Sequence, residues 1–231
     1  MRTVEALGLS LPSKYAAGSP TYSVVAVVGC GGKTSLIERI AGDIADRRVL
    51  VSPTTKMFPL NLPGADCRGI LNPATGKLEA LPPIELAELA PQYDIALLEA
   101  DGSRGLPCKG WREDEPVVPV YATHTVGIVT LNALGKAATG DTVHNLAQFL
   151  ELTGLREGQA ITAKALRDMV CARGGMFKNS LGNRILLVNQ VEDEATADAA
   201  REFLRAIKAG NPGCFSKLLF GSVYRDKWWE V

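Results

Sequence analysis

A run of small and β-branched apolar residues, Val24-Val25-Ala26-Val27-Val28, passes without a spacer into Gly29-Cys30-Gly31-Gly32-Lys33-Thr34-Ser35 and then into Leu36-Ile37-Glu38-Arg39-Ile40-Ala41. The first segment has the makeup of a buried strand, and the last carries apolar residues at helical spacing. A strand that hands over to a helix through glycines, with Lys-Thr at the helix start, fits few purposes other than holding a polyphosphate. Glycines let backbone N–H groups approach the oxygens, and the helix N-terminus adds partial positive charge. Lys33 supplies a mobile cation, and the hydroxyl of Thr34 is placed to ligate Mg²⁺. Gly29, Gly31, Gly32, Lys33, Thr34 and Ser35 are expected to bind nucleotide phosphates.

The spacing departs from GxxxxGK[ST], which requires glycine where Val27 stands. It is G-x-G-G-K-T-S, a shorter loop of the kind known from Mur-type ligases. Phosphate binding therefore remains the expectation, while the class of NTPase stays open. A glycine-rich turn that binds nothing would have no use for Lys-Thr at that position.

Composition narrows the partners. Lys+Arg and Asp+Glu balance at 25 each, so no basic field argues for nucleic acid. No apolar stretch has the length of a membrane span, and the N-terminal residues lack the apolar core of an export signal. The five cysteines, Cys30, Cys67, Cys108, Cys171 and Cys214, show neither CxxC nor metal-ligand spacing. Unpaired cysteines in a nucleotide-binding protein imply a reducing, cytoplasmic location. With 46% apolar residues in 231, the chain can bury the core of one domain spanning 1–231.

Further apolar runs at 49–51, 94–99, 125–131, 184–189 and 216–221 alternate with helical patterns at 34–45, around 86–89 and at 194–208. This alternation predicts an α/β fold with a mostly parallel, doubly wound sheet of about six strands, resembling P-loop NTPases. Residues 57–83 are rich in Pro, Gly and Asn, with a hairpin expected around Asn72-Pro73-Ala74-Thr75-Gly76. Residues 143–179 read as two helices, about 143–152 and 162–172, forming a small helical insertion. In such a sheet, ligands bind at the carboxyl ends of the strands.

Candidate chemistry gathers at those ends. Ser52-Pro53-Thr54-Thr55-Lys56 offers hydroxyls and a lysine for the γ-phosphate, its metal or a second substrate; a plain Ser/Thr turn explains it equally well. Glu99-Ala100-Asp101-Gly102-Ser103-Arg104 ends an apolar strand in two acids, as in a Walker B arrangement. Glu99 and Asp101, two apart on an extended backbone, share one face. Both can serve one Mg²⁺ with Thr34, or one can act as base. The proline-bounded segment 106–119 is a candidate substrate loop, in which Lys109 and Arg104 would hold an anionic second substrate. Asn189-Gln190-Val191-Glu192 is a weakened NKxD element, and Ser222 stands where a second base contact is expected, so ATP and GTP both remain open. Of the two histidines, His144 is a substrate or helix-cap candidate.

VVGCGGKTS, Thr54-Thr55-Lys56-Met57, EADGSRGLPCKG, EPVVP, GGMFK and NQVE together resemble the YqeC family, accessory proteins of selenium-dependent molybdenum hydroxylases. The resemblance runs from about residue 22 to residue 223, and EADGSRGLPxK is its most specific piece. It implies a P-loop-like fold and a role in maturing or inserting a selenium-containing molybdenum cofactor, with the hydroxylase or its cofactor as partner. It places Glu99, Asp101 and Ser103 in the acidic motif, Lys109 in LPxK, and Glu115 as the proline-flanked acid. Asn145 stands where the family tends to arginine, and Cys108 where an aliphatic residue is usual. The expected chemistry is slow, Mg²⁺-dependent ATP or GTP hydrolysis or transfer with Lys33, Glu99 and Asp101 at its centre and Lys56, Ser103, Arg104, Lys109, Glu115 and His144 toward the substrate. The alternatives are a Mur-like ligase or small-molecule kinase, and a non-catalytic nucleotide-gated chaperone.

Overall fold

The computed structural model describes residues 2–9, 11 and 22–231. Its centre is one eight-stranded sheet. In chain order the strands are β1 (Ser23–Gly29), β2 (Val49–Pro53), β3 (Ala65–Cys67), β4 (Ile95–Glu99), β5 (His124–Thr130), β6 (Asn183–Asn189), β7 (Lys217–Ser222) and β8 (Lys227–Glu230). Their spatial order is β8-β7-β6-β5-β1-β4-β2-β3. All neighbours run parallel except the edge pair β7–β8. The expected count of about six strands is therefore too low: β3 and β8 were missed. Both are short or edge strands with polar and half-buried residues, so neither shows the continuous apolar run of a strand covered on both faces.

Helices α1 (Thr3–Ala6), α2 (Lys33–Asp43), α3 (Pro83–Leu89), α4 (Leu146–Thr153), α5 (Ala163–Cys171) and α6 (Glu194–Gly210) cover both faces. Successive side chains of a strand point to opposite faces. Val25 and Val27 of β1 pack with Leu36, Ile37 and Ile40 of α2 on one face. Ala26 and Val28 join Leu166 and Met169 of α5 and Phe203 and Leu204 of α6 on the other. Phe149 of α4 belongs to that same cluster, so the helices expected as an insertion pack into the core of the sheet. α3 covers the β2–β4 side of that face through Leu86, with Leu50, Ala96 and Leu98.

Two smaller sheets stand above the strand ends. Residues 56–57, 77–79 and 70–72 form an antiparallel three-stranded sheet that contains the expected hairpin. Residues 108–109 pair in parallel with 143–144. The chain leaves β1 toward β2 on one side and later builds β5, β6 and β7 on the other. β1 therefore borders the point where the winding reverses, which is where a doubly wound sheet opens its crevice.

Candidate functional site

The loop after β1 is shaped by three left-handed glycines, Gly29, Gly31 and Gly32, at φ +98°, +101° and +118°. A side chain at Gly29 would meet the Ile128 carbonyl oxygen at 2.3 Å, so the conformation and the close approach both demand glycine. The Cys30 N–H donates to that carbonyl at 2.8 Å and pins the loop to β5. Among the described residues, the N–H groups of Gly31 and Gly32 donate to no protein acceptor. They precede α2, whose N-terminus begins at Lys33.

The Lys33 side chain is buried, and its ammonium donates to the Gly29 carbonyl at 2.8 Å. Asp101 lies 3.2 Å away, Glu99 4.0 Å and the Ser103 hydroxyl 3.5 Å. Burial alone would lower the lysine pKa, but the carboxylates of Asp101 and Glu99 outweigh it and hold the value above the ordinary one. Thr34 donates its hydroxyl to Glu99 Oε2 at 3.1 Å. Burial pushes the Glu99 carboxyl up despite the nearby Lys33 charge and the Thr34 bond.

Asp101 differs sharply from Glu99. It has no exposed surface. The Gly29 N–H donates to both of its oxygens at 3.1 and 3.0 Å, and the Trp111 indole N–H reaches Oδ2 at 2.7 Å. The Lys109 ammonium stands 3.5 Å from the same oxygen. Burial opposes its charge, yet Lys33, Lys109 and these donors hold its pKa below the ordinary carboxylate value. An acid so fully engaged has no oxygen to offer a metal. Lys109 is likewise fully buried, bonded to the Gly102 carbonyl at 2.7 Å and 3.4 Å from Glu115, so it stands behind the cavity wall. Asp101 and Lys109, expected at the metal and the second substrate, are instead the supports of the loop.

A cavity of about 780 Å³ opens over these groups. Its wall includes Gly31, Gly32, Lys33, Thr34, Ser35 and Glu99 on the loop side. Lys56, Ser103, Arg104, Glu115 and His144 complete it opposite. Lys56 is ion-paired to Glu79 at 2.8 Å. Glu115 accepts from the Asn145 amide at 3.1 Å and the Arg112 N–H at 3.3 Å. Thr54 is spent on the Val117 carbonyl, but the buried hydroxyl of neighbouring Thr55, in the cavity wall, has no partner among the described residues. Buried polar groups rarely stay unpaired, and a ligand oxygen is one way to pair this one.

Asn189 and Ser222 border a second cavity of about 600 Å³ on the other side of the loop. The Asn189 amide donates to the Gly31 carbonyl at 2.7 Å, while its oxygen accepts the Val223 N–H at 2.9 Å. Ser222 donates to Glu192 at 2.6 Å. Asn189 thus ties β6 and β7 to the glycine loop, and Ser222 anchors the segment after it. Sequence reasoning passed over Arg112, Lys77, Phe58 and Gln190, all in the wall of the larger cavity. Only Gln190 carried a signal, as the residue standing in the lysine position of the NKxD-like element. Among the described residues no three His, Cys, Asp or Glu side chains gather as a metal cluster, and no helix is long and apolar enough to cross a membrane.

A family model described as "YqeC protein" matches residues 25–70 and 67–147. The "Uncharacterized protein YqeC" of Escherichia coli (strain K12) is 31% identical over 212 residues, 80% of this chain and 83% of the relative. The chain belongs to the YqeC family. The YqeC match takes in the glycine loop, the Glu99–Arg104 strand end and the Lys109–Glu115 supports, while Asn189 and Ser222 lie beyond it. No solved structure matches this YqeC chain.

Proposed function

We propose that the larger cavity binds Mg²⁺-ATP or Mg²⁺-GTP, and that this YqeC protein uses the nucleotide in maturing or inserting a selenium-containing molybdenum cofactor of a hydroxylase. One observation carries the nucleotide half. Unpaired loop amides of Gly31 and Gly32, a buried ammonium at Lys33 and the Thr34–Glu99 oxygen pair share one polar cavity at the reversal point of the sheet. The cofactor half rests on the family resemblance.

In this reading Gly31, Gly32, Lys33, Thr34 and Ser35 take the phosphates. Thr34 and Glu99 would hold Mg²⁺ through the hard oxygens it prefers. The metal would neutralise charge on the phosphates. Asp101 acts as a positioning residue: it fixes Lys33 and the Gly29 amide before any ligand arrives. Rate enhancement then comes from orientation and preorganised charge. Asn189 and Ser222 hold the loop from the side where the base would lie.

Isothermal titration calorimetry of the purified protein with Mg²⁺-ATP and Mg²⁺-GTP tests this. One of the two should bind, and Lys33→Ala should weaken it about a hundredfold, as expected for removal of a charge-assisted contact. If neither binds the unmodified protein, the reading fails. A ligase or small-molecule kinase remains the second reading, favoured by the neighbouring cation-lined cavity described next; a phosphorylated product or acyl-phosphate would decide for it.

A further inference from the structure

Beside the nucleotide cavity lies another, of about 540 Å³, whose wall includes Arg104, Arg112, Val143, His144, Asn145 and the exposed Asp141. Arg104, Arg112 and His144 also belong to the wall of the nucleotide cavity, so the two spaces communicate through these three side chains. Both guanidinium groups are exposed, and among the described residues neither has a carboxylate or carbonyl partner. Burial first, then Lys109, Arg104 and Arg112, lower the His144 pKa against the opposing charge of Glu115, which favours the uncharged ring as a hydrogen-bonding partner. Glu115, in the wall of the nucleotide cavity, is already engaged by Lys109, Asn145 and the Arg112 N–H.

The backbone is built around this point. Ser103 to Leu106 form a tight turn closed by the Leu106 N–H to Ser103 carbonyl bond at 2.9 Å. Its two central residues are Arg104 at φ +52° and Gly105 at φ +73°. Turns with two left-handed central residues favour Asn, Asp or Gly at the first of them, so an arginine there costs stability. Asn145 is left-handed as well, at φ +56°, and its amide is tied to the Gly110 carbonyl at 3.2 Å and to Glu115. Non-glycine residues held this way cluster at ligand sites.

We propose that Arg104, Arg112 and His144 form an oxyanion subsite, which takes the phosphate-like group of a second substrate beside the nucleotide. Two unpaired guanidinium forks match such an oxyanion in charge and geometry, and the neutral imidazole adds one further hydrogen bond. Placement next to a nucleotide rests on the function proposed above; the oxyanion chemistry does not. Lys109, for which the sequence suggested this role, lies behind the wall and supports Glu115 instead.

The test is calorimetric titration of the full chain with inorganic phosphate and, separately, phenyl phosphate, each with and without saturating Mg²⁺ and a non-hydrolysable ATP or GTP analogue. Binding of either probe should persist with the nucleotide analogue present. Arg104→Gln and Arg112→Gln should each weaken it about tenfold, the effect of one charge-assisted contact. With the analogue present, so that the loop after β1 is filled, Lys164→Gln on α5 should leave the probe's affinity within about twofold, since Lys164 lines neither cavity. A preference for phenyl phosphate would mark an esterified ligand, and equal affinity a free anion. No binding of either probe, or binding lost in Lys33→Ala and untouched in both arginine variants, overturns the subsite. If the nucleotide analogue does not bind while the arginine-dependent phosphate site remains, the subsite stands and the nucleotide reading falls.

Discussion

Asp101 receives two ammonium groups, an indole N–H and a peptide N–H while wholly enclosed. Breaking a buried ion pair by removing one partner costs about 3–5 kcal/mol, because the other charge stays buried and alone. Asp101→Ala is expected to lose that much in urea unfolding, with Lys33 and Lys109 each losing a fully buried carboxylate; a loss below about 1 kcal/mol would show the cluster is not holding the loop. The pH dependence has a definite sign. The Asp101 pKa lies below its ordinary 3.8, so its stabilisation is present above pH 3.8 and fades as pH falls through the depressed folded value. The gap in stability between wild type and Asp101→Asn should therefore shrink as urea titrations move below pH 3.8. Glu99 works the other way: its raised pKa makes folding slightly less favourable as pH climbs past 4.5. The two-residue spacing correctly put both acids at one strand end. It could not reveal that Trp111 and Lys109 fold back to occupy Asp101, because that contact depends on the course of the 102–111 loop and leaves no local pattern.

Elements converge on the glycine loop after β1 from both sides. β4 brings Glu99, α2 brings Lys33 and Thr34, and β6 ends in Asn189, whose amide bridges the Gly31 carbonyl and the Val223 N–H. Asn189→Ala leaves the buried Val223 N–H and the half-buried Gly31 carbonyl without that bridge, an expected cost of about 1–3 kcal/mol. Its nucleotide affinity should fall with the overall fold retained, as followed by circular dichroism and calorimetry together. Gly29→Ala is expected to be more damaging, since the new methyl meets Ile128 oxygen at 2.3 Å and φ stays at +98°. A soluble Gly29→Ala protein with unchanged melting temperature would contradict this packing. The strand–loop–helix unit was legible because its apolar runs and glycines are contiguous in sequence. The half-buried β3 and β8, and the 108–109 to 143–144 pairing, were not, because their partners are distant and their own pattern is mixed.

At the scale of the molecule, the sheet reverses its winding beside β1, and both larger cavities flank the loop that follows that strand. A ligand bound there touches the loop after β1, Glu99 of β4, α2, the 102–115 segment and His144, so binding should stabilise the whole fold. At about a hundred times the dissociation constant the gain is ~2.7 kcal/mol, which for a chain of this size raises the melting temperature by about 5–10 °C. Differential scanning calorimetry should show that rise with Mg²⁺-nucleotide, and only about 1–2 °C at the same concentration in Lys33→Ala, whose hundredfold weaker binding leaves ~0.4 kcal/mol.

The most direct measurement is a crystal structure with Mg²⁺ and a non-hydrolysable nucleotide. Its phosphates are expected against the Gly31 and Gly32 amides and Lys33 Nζ, with the metal at Thr34 and Glu99 and Asp101 still buried behind them. Phosphates seated anywhere else, with that loop left empty, would contradict the function proposed for this protein.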